Sequence, residues 1–135
     1  MSLLLDQLAS YLHAQGEGTV GTDLFKLHRP SSPVACVSLH ATGGYPPHKY
    51  TRQEYPTVQV IARAATPNGA LAKAYRVFNR LQGRQQLDLG NDVYANTVQG
   101  MNSPVYLGEE EAGNPPVGGH LASFNLVFDL KTASN

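Results

Sequence analysis

The stretch from Glu54 to Gly83, EYPTVQVIARAATPNGALAKAYRVFNRLQG, constrains the fold more than any other, because it reads as a strand, a tight turn and a helix in immediate succession. From Pro56 to Ala65 the side chains alternate, with Val58, Val60, Ala62 and Ala64 on one face and Thr57, Gln59, Ile61 and Arg63 on the other. A period of two is the pattern of a strand buried more on one face than on the other. Thr66 before Pro67 then suits a helix N-cap: its hydroxyl can accept an orphan amide hydrogen, while proline fills the first helical position without losing a useful donor. Leu71, Ala74, Tyr75, Phe78 and Leu81 recur at helical spacing, with Lys73, Arg76, Arg80 and Arg84 off that stripe and Gly83 placed to end it. The expectation is an amphipathic helix folded back over a sheet.

The remaining segments read as elements packed against that unit. A first helix is expected from Leu3 to about Gln15, capped by Ser2, with Leu4, Leu8, Tyr11 and Leu12 on one face and Gly16 as its stop. Thr19 to His28 and Val34 to Ala41 alternate as strands, paired as a hairpin or as neighbours, with a turn at Arg29–Pro33 between them. Gln86 to Leu89 and Asp92 to Gln99 flank the turn dipeptide Gly90-Asn91, and Val105 to Leu107 can add a short strand. The last strand, His120 to Lys131, sets Ala122, Phe124, Leu126, Phe128 and Leu130 on one apolar face and is expected at the centre of the sheet.

Two long stretches fit no element. Thr42 to Glu54 and Gly108 to Gly119 are rich in glycine and proline and are expected to project as loops. Tyr45, His48, Lys49, Tyr50 and Arg52 in the first combine aromatic area with charge, the composition of a protein-contact surface. Glu109, Glu110 and Glu111 in the second form an acidic run, expected to be solvated and offered as a second contact.

Composition narrows the function classes. The 135 residues suffice for one domain with a single core, expected to span 1–135. At 41% hydrophobic and 15% charged residues the chain is too apolar for disorder and poor in charge for a lone soluble monomer, which leaves room for buried subunit contacts. There is no run of eighteen apolar residues, and the start MSLLLDQLASYLHAQG carries Asp6 and no basic leader, so neither a membrane span nor secretion is expected. The net charge is zero but uneven: Lys49 to Arg84 holds seven bases and one acid, and Gln85 to Asn135 one base and six acids. In a ring, the basic middle of one copy could face the acidic second half of the next.

Reactive groups are sparse. Cys36 is the single cysteine, which excludes an internal disulfide and a thiolate metal cluster within one chain. On a strand, Cys36 and His40 would share a face but sit roughly 13 Å apart at about 3.3 Å per residue, too far for the imidazole to activate the thiol. His13, His28, His40, His48 and His120 are scattered without ligand spacing, and GEGTVGT at Gly16 to Thr22 lacks the GK[ST] ending of a phosphate loop. Neither catalysis, a metal nor a cofactor is expected. The basic helix face of Lys73, Arg76, Arg80 and Arg84 could touch phosphates, but the zero net charge counts against duplex affinity, and DNA contact is not expected.

The run TVQVIARA, the short turn with Thr66, the Ala-rich helix ALAKAYRVFNRL and the order of elements around them resemble the small tail-terminator and minor capsid (tail-completion) proteins of long-tailed bacteriophages. The resemblance covers nearly the whole chain and implies a ring-forming virion protein, typically a hexamer. Such a ring would cap the tail tube, meet the tail-tube protein and a head-completion or neck protein, and be made in the bacterial host cytoplasm. Another neck or head–tail connector protein, or a small ligand-binding domain whose loops form a pocket, are the alternative readings. In all of them the fold expected is α+β: a mainly antiparallel sheet with two helices on one face and long projecting loops.

Overall fold

The computed structural model describes residues 2–30, 34–46, 53–91, 93–110 and 119–131. Its elements run α1 (Ser2–Ala14), β1 (Leu24–Lys26), β2 (Cys36–Ala41), β3 (Gln53–Glu54), β4 (Thr57–Ala64), α2 (Pro67–Leu81), β5 (Gln85–Gly90), β6 (Val93–Gly100), β7 (Val105–Glu109) and β8 (His120–Lys131). They form one eight-stranded sheet in the order β1-β2-β4-β8-β6-β5, with β3 and β7 also paired to β8. All pairings are antiparallel except β1 with β2. This is the α+β class expected.

Strand β8 organises the sheet. Its twelve residues pair with β4 and β3 along one edge and with β7 and β6 end to end along the other. A strand neighboured on both edges needs no polar side to protect its backbone, and Ala122, Phe124, Leu126, Phe128 and Leu130 are all buried on its helix-facing side. Rows across the sheet, such as Leu39–Val60–Phe124 and Val37–Ala62–Ala122, line up these apolar faces. Both helices contribute to the same core, α1 through Leu4, Leu5, Leu8, Ala9 and Leu12 and α2 through Ala70, Ala74, Val77 and Leu81. Helix α1 touches β1 and β2 at one end of the sheet and β5 and β6 at the other, so the sheet curls around it.

The N-cap of α2 forms as expected: Thr66 has extended backbone, and its hydroxyl accepts the Gly69 amide at 3.0 Å. Its buried stripe, however, is turned relative to the expected one. Ala70, Ala74, Val77 and Leu81 face the sheet, Leu71 and Phe78 fill the flanks, and Tyr75 is exposed. Small residues let the helix axis approach the strands closely, and the larger rings then pack beside the contact; Phe78 meets Phe124 edge-on at 5.3 Å.

Other expectations need correction. Strand β1 covers only Leu24–Lys26 and runs parallel to β2, so the two are not a hairpin. Most of the expected strand before it is a turn in which the Thr19 carbonyl accepts the Thr22, Asp23 and Leu24 amides. Of the expected Arg29–Pro33 turn, residues 31–33 lie outside those described, as do Asp92, the first residue of the expected Asp92–Gln99 strand, and the side chain of the expected cap Ser2. Gln53 and Glu54, expected in a loop, form β3, and Gly108 and Glu109 belong to β7. The first loop also has a zipped base: the Thr42 amide donates to the Thr57 carbonyl at 3.1 Å and the Tyr45 amide to the Tyr55 carbonyl at 2.9 Å.

Candidate assembly surface

The largest departure from the alternation of β4 is Arg63, which stands on the face expected to be polar and open yet is fully buried. Because β1 and β2 are parallel, the chain between them is no hairpin, and its described residues Pro30 and Val34 stand over Arg63 on the side of the sheet away from the helices. There Arg63 Nε donates to the Val34 carbonyl at 2.8 Å, and Nη2 donates to the Pro30 carbonyl at 2.5 Å. Its Nη1 donates to Glu110 Oε1 at 3.0 Å, and Arg29 Nε reaches the other oxygen of the same carboxylate, also at 3.0 Å. The Glu110 amide donates to the Gly119 carbonyl at 2.6 Å, closing the base of the β7–β8 connection. Gly119 is required at that place, since a Cβ there would lie 2.7 Å from both Arg63 Cγ and Cδ. The clasp thus ties the β1–β2 crossover and the end of β7 to the same point on β4.

This corrects the expectation for the acidic run. Glu109 is exposed, but Glu110 is buried and held by two guanidinium groups, so it is not a solvated acid free to meet another subunit. Glu111 lies outside the described residues. The charge imbalance is likewise partly settled within the chain, because Arg63 of the basic middle pairs with Glu110 of the acidic half. On the basic face of α2, Arg76 and Arg80 both pair with Glu17, at 3.0 and 2.8 Å. Of the aromatic and basic cluster in the first loop, His48, Lys49, Tyr50 and Arg52 lie outside the described residues. Tyr45 is exposed and lines a cavity of about 200 Å³ with Leu4, Leu5, Gly43, Tyr55 and Val58.

Cys36 lies beside Arg63 in the register of β2 on β4 and is completely buried. Burial pushes its thiol above the usual range; the guanidinium groups of Arg63 and Arg29 pull the other way and do not win. His40 shares a hydrogen bond with Ser38 Oγ at 2.9 Å, and burial, with Arg29 and His28 nearby, holds its pKa below the ordinary value. A protonated, inaccessible thiol is no nucleophile. Among the described residues, no group of three or more His, Cys, Asp or Glu side chains could hold a metal ion, and no helix is long and apolar enough to cross a membrane.

The described surface also offers an apolar edge. Val105, Tyr106 and Leu107 are exposed in succession on β7, whose outer edge has no strand beside it among the described residues, with Met101 exposed just before them. Val20 and Leu27 are exposed beside β1. An open apolar edge strand is a liability in a monomer and an asset in an assembly. The sequence profile of the bacteriophage tail terminator protein family matches residues 11–116.

The chain belongs to the bacteriophage tail terminator protein family. Members of this family are structural virion proteins, and this tail terminator-family chain is a structural phage tail protein. Its fold is similar to that of a chain from the virion of a native gene transfer agent (GTA) particle, with a TM-score of 0.61 at 15% identity over 92% of each chain. At that identity the likeness is one of fold. No curated protein matches the chain. The exposed edge and the buried clasp that a tail terminator of this build presents were both missed by sequence reasoning, since alternation alone marks Arg63 as outward and Val105–Leu107 as ordinary strand. The one available signal was Arg63 itself, a charge inside an otherwise apolar or small-residue run.

Proposed function

We propose that copies of this chain close into a ring, a hexamer in our reading, that caps the end of the phage tail tube and stops its elongation. The family match over residues 11–116 carries this reading. The open apolar edge of β7 supports it, because tube-end capping by shape needs subunit contacts rather than reactive groups. One side of the ring would meet the tail-tube protein and the other a head-completion or neck protein, after synthesis in the host cytoplasm. Tyr45 at the rim of its cavity and the exposed Glu109 are the described contact candidates; His48, Lys49, Tyr50, Arg52 and Glu111 complete the set by composition. The small-ligand alternative is less favoured: the cavity beside Tyr45, about 200 Å³, is below the roughly 300–1,000 Å³ of drug-sized sites, and the cleft of about 430 Å³ lined by Glu17, Asp23, Lys73 and Arg76 is charged rather than apolar.

The test adds purified protein to polymerising tube subunits and measures tube length by electron microscopy, with light scattering for the mass of the free protein. Tubes of arrested length carrying a ring at one end are expected. Tubes that keep growing with the protein present would defeat the reading.

A further inference from the structure

Two exposed apolar patches lie beside the two ends of one run of paired strands. The registers run Leu24–Val37–Ala62–Ala122–Tyr106 and Phe25–Ser38–Ile61–Ser123–Val105, from β1 to β7, about 19 Å across four inter-strand spacings. At the β7 end are Val105, Tyr106 and Leu107, with the exposed acid Glu109 beyond them. At the β1 end, Val20 bridges to Leu24 on the side away from β2, and Leu27 follows the strand. Lys26 and His28 flank Leu27, Lys26 paired with Asp6.

The two edges differ in kind. That of β1 is closed by its own turn, since the Leu24 amide donates to the Thr19 carbonyl and the Leu24 carbonyl accepts the Gly21 amide. Leu27 is 62% exposed and holds a left-handed backbone at φ 68°. A leucine there is doubly unfavourable, in strain and in exposure, and asparagine or aspartate would suit the backbone better. Folding alone does not account for it.

We infer that the β1 flank around Leu27 and Val20 and the β7 flank around Leu107 and Val105 are the two halves of one head-to-tail contact between copies of this chain. The inference rests on the ring reading above and names its faces. Different patches at opposite ends of one sheet give a heterologous interface, the kind that closes rings, with the exposed acid of Glu109 brought toward His28 and the Lys26–Asp6 pair beside Leu27. An isologous contact of β7 with β7 would leave Leu27 without a role.

Leu27→Asp and Leu107→Asp, each made in the full chain, test this by sedimentation velocity, both free and on tail tubes lacking their cap. Each variant alone is expected to stay monomeric while melting cooperatively. Mixed in equal amounts they should form a dimer of twice the monomer mass and no ring, because each retains the face that the other has lost. Val20→Asp and Val105→Asp repeat the pair. Leu27→Asn should lose assembly yet melt at a higher temperature than the wild type. Assembly lost in Leu107→Asp but intact in Leu27→Asp overturns the inference in favour of a two-fold β7 contact. Wild-type rings that neither substitution disturbs overturn it while leaving the ring standing. A wild-type protein that forms no ring free or on tubes removes the ring reading and this inference together.

Discussion

Substituting Arg63 tests the clasp most directly. In Arg63→Ala the Val34 and Pro30 carbonyls and the Glu110 carboxylate lose a buried donor, and the space of a long side chain is left beneath the crossover. Breaking a buried, hydrogen-bonded ion pair by removing one partner costs about 3–5 kcal/mol, against a total stability of about 5–15 kcal/mol for a domain. Arg29 softens the loss, because it still neutralises the other carboxylate oxygen. Glu110→Ala is expected to cost about as much as Arg63→Ala, since it takes a carboxylate away from a guanidinium that has no solvent access. Arg63→Met with Glu110→Leu, by contrast, removes both charges and fills most of the volume, so the double variant should lose less than the sum of the single changes, with a coupling of about 2 kcal/mol. Urea melts followed by circular dichroism read all of these, and at about 3 °C per kcal/mol for a chain of this size the single variants should melt about 10–15 °C lower. An Arg63→Met protein within about 0.5 kcal/mol of the wild type would refute the reasoning, because the guanidinium would then be carrying neither the crossover nor Glu110.

Phe124, on the central strand β8, is buried beneath α2, so Phe124→Ala should cost about 3–5 kcal/mol and Phe124→Asp should fail to fold; a soluble, cooperatively melting aspartate variant would contradict the placement of β8. Gly119→Ala should destabilise by about 1–3 kcal/mol through its clash with the Arg63 stem, and the Arg63→Ala background should remove most of that penalty. His40 predicts a pH dependence. Its folded pKa lies below the ordinary value, so the unfolded chain takes up the proton first, and stability is present above the unfolded value and falls as pH drops through the folded one. Urea midpoints at pH 7.5 and pH 5.5 should therefore differ more in the wild type than in His40→Gln, and equal differences would count against the burial of that ring.

Elements whose signal is local were legible. Thr66-Pro67 sets the start of α2 whatever surrounds it, and Gly90-Asn91 turns β5 into β6 because the required left-handed conformation is a property of those residues, seen at φ 93° and 49°. The five apolar positions of β8 could be assigned to the core since strict alternation leaves them no other face. Where two burial options were locally equal, alternation and helical spacing failed. The stripe of α2 was placed on its largest side chains, whereas contact distance to the sheet favours alanines. The contact candidates from the first loop could not be placed by any periodicity, and Glu110 was grouped with its exposed neighbour Glu109 on composition alone.

The sequence by itself determined the strand–turn–helix unit, the central strand and the family, because each rests on short-range pattern that survives any arrangement of the rest. Only the tertiary structure decided that β1 lies parallel to β2. That one choice sends the chain over the outer face of the sheet, shuts Arg63 away from water, and recruits Glu110 from nearly fifty residues further on to balance its charge. Burial of a charge depends on what crosses above it, and a crossover is a long-range event that no local spacing encodes.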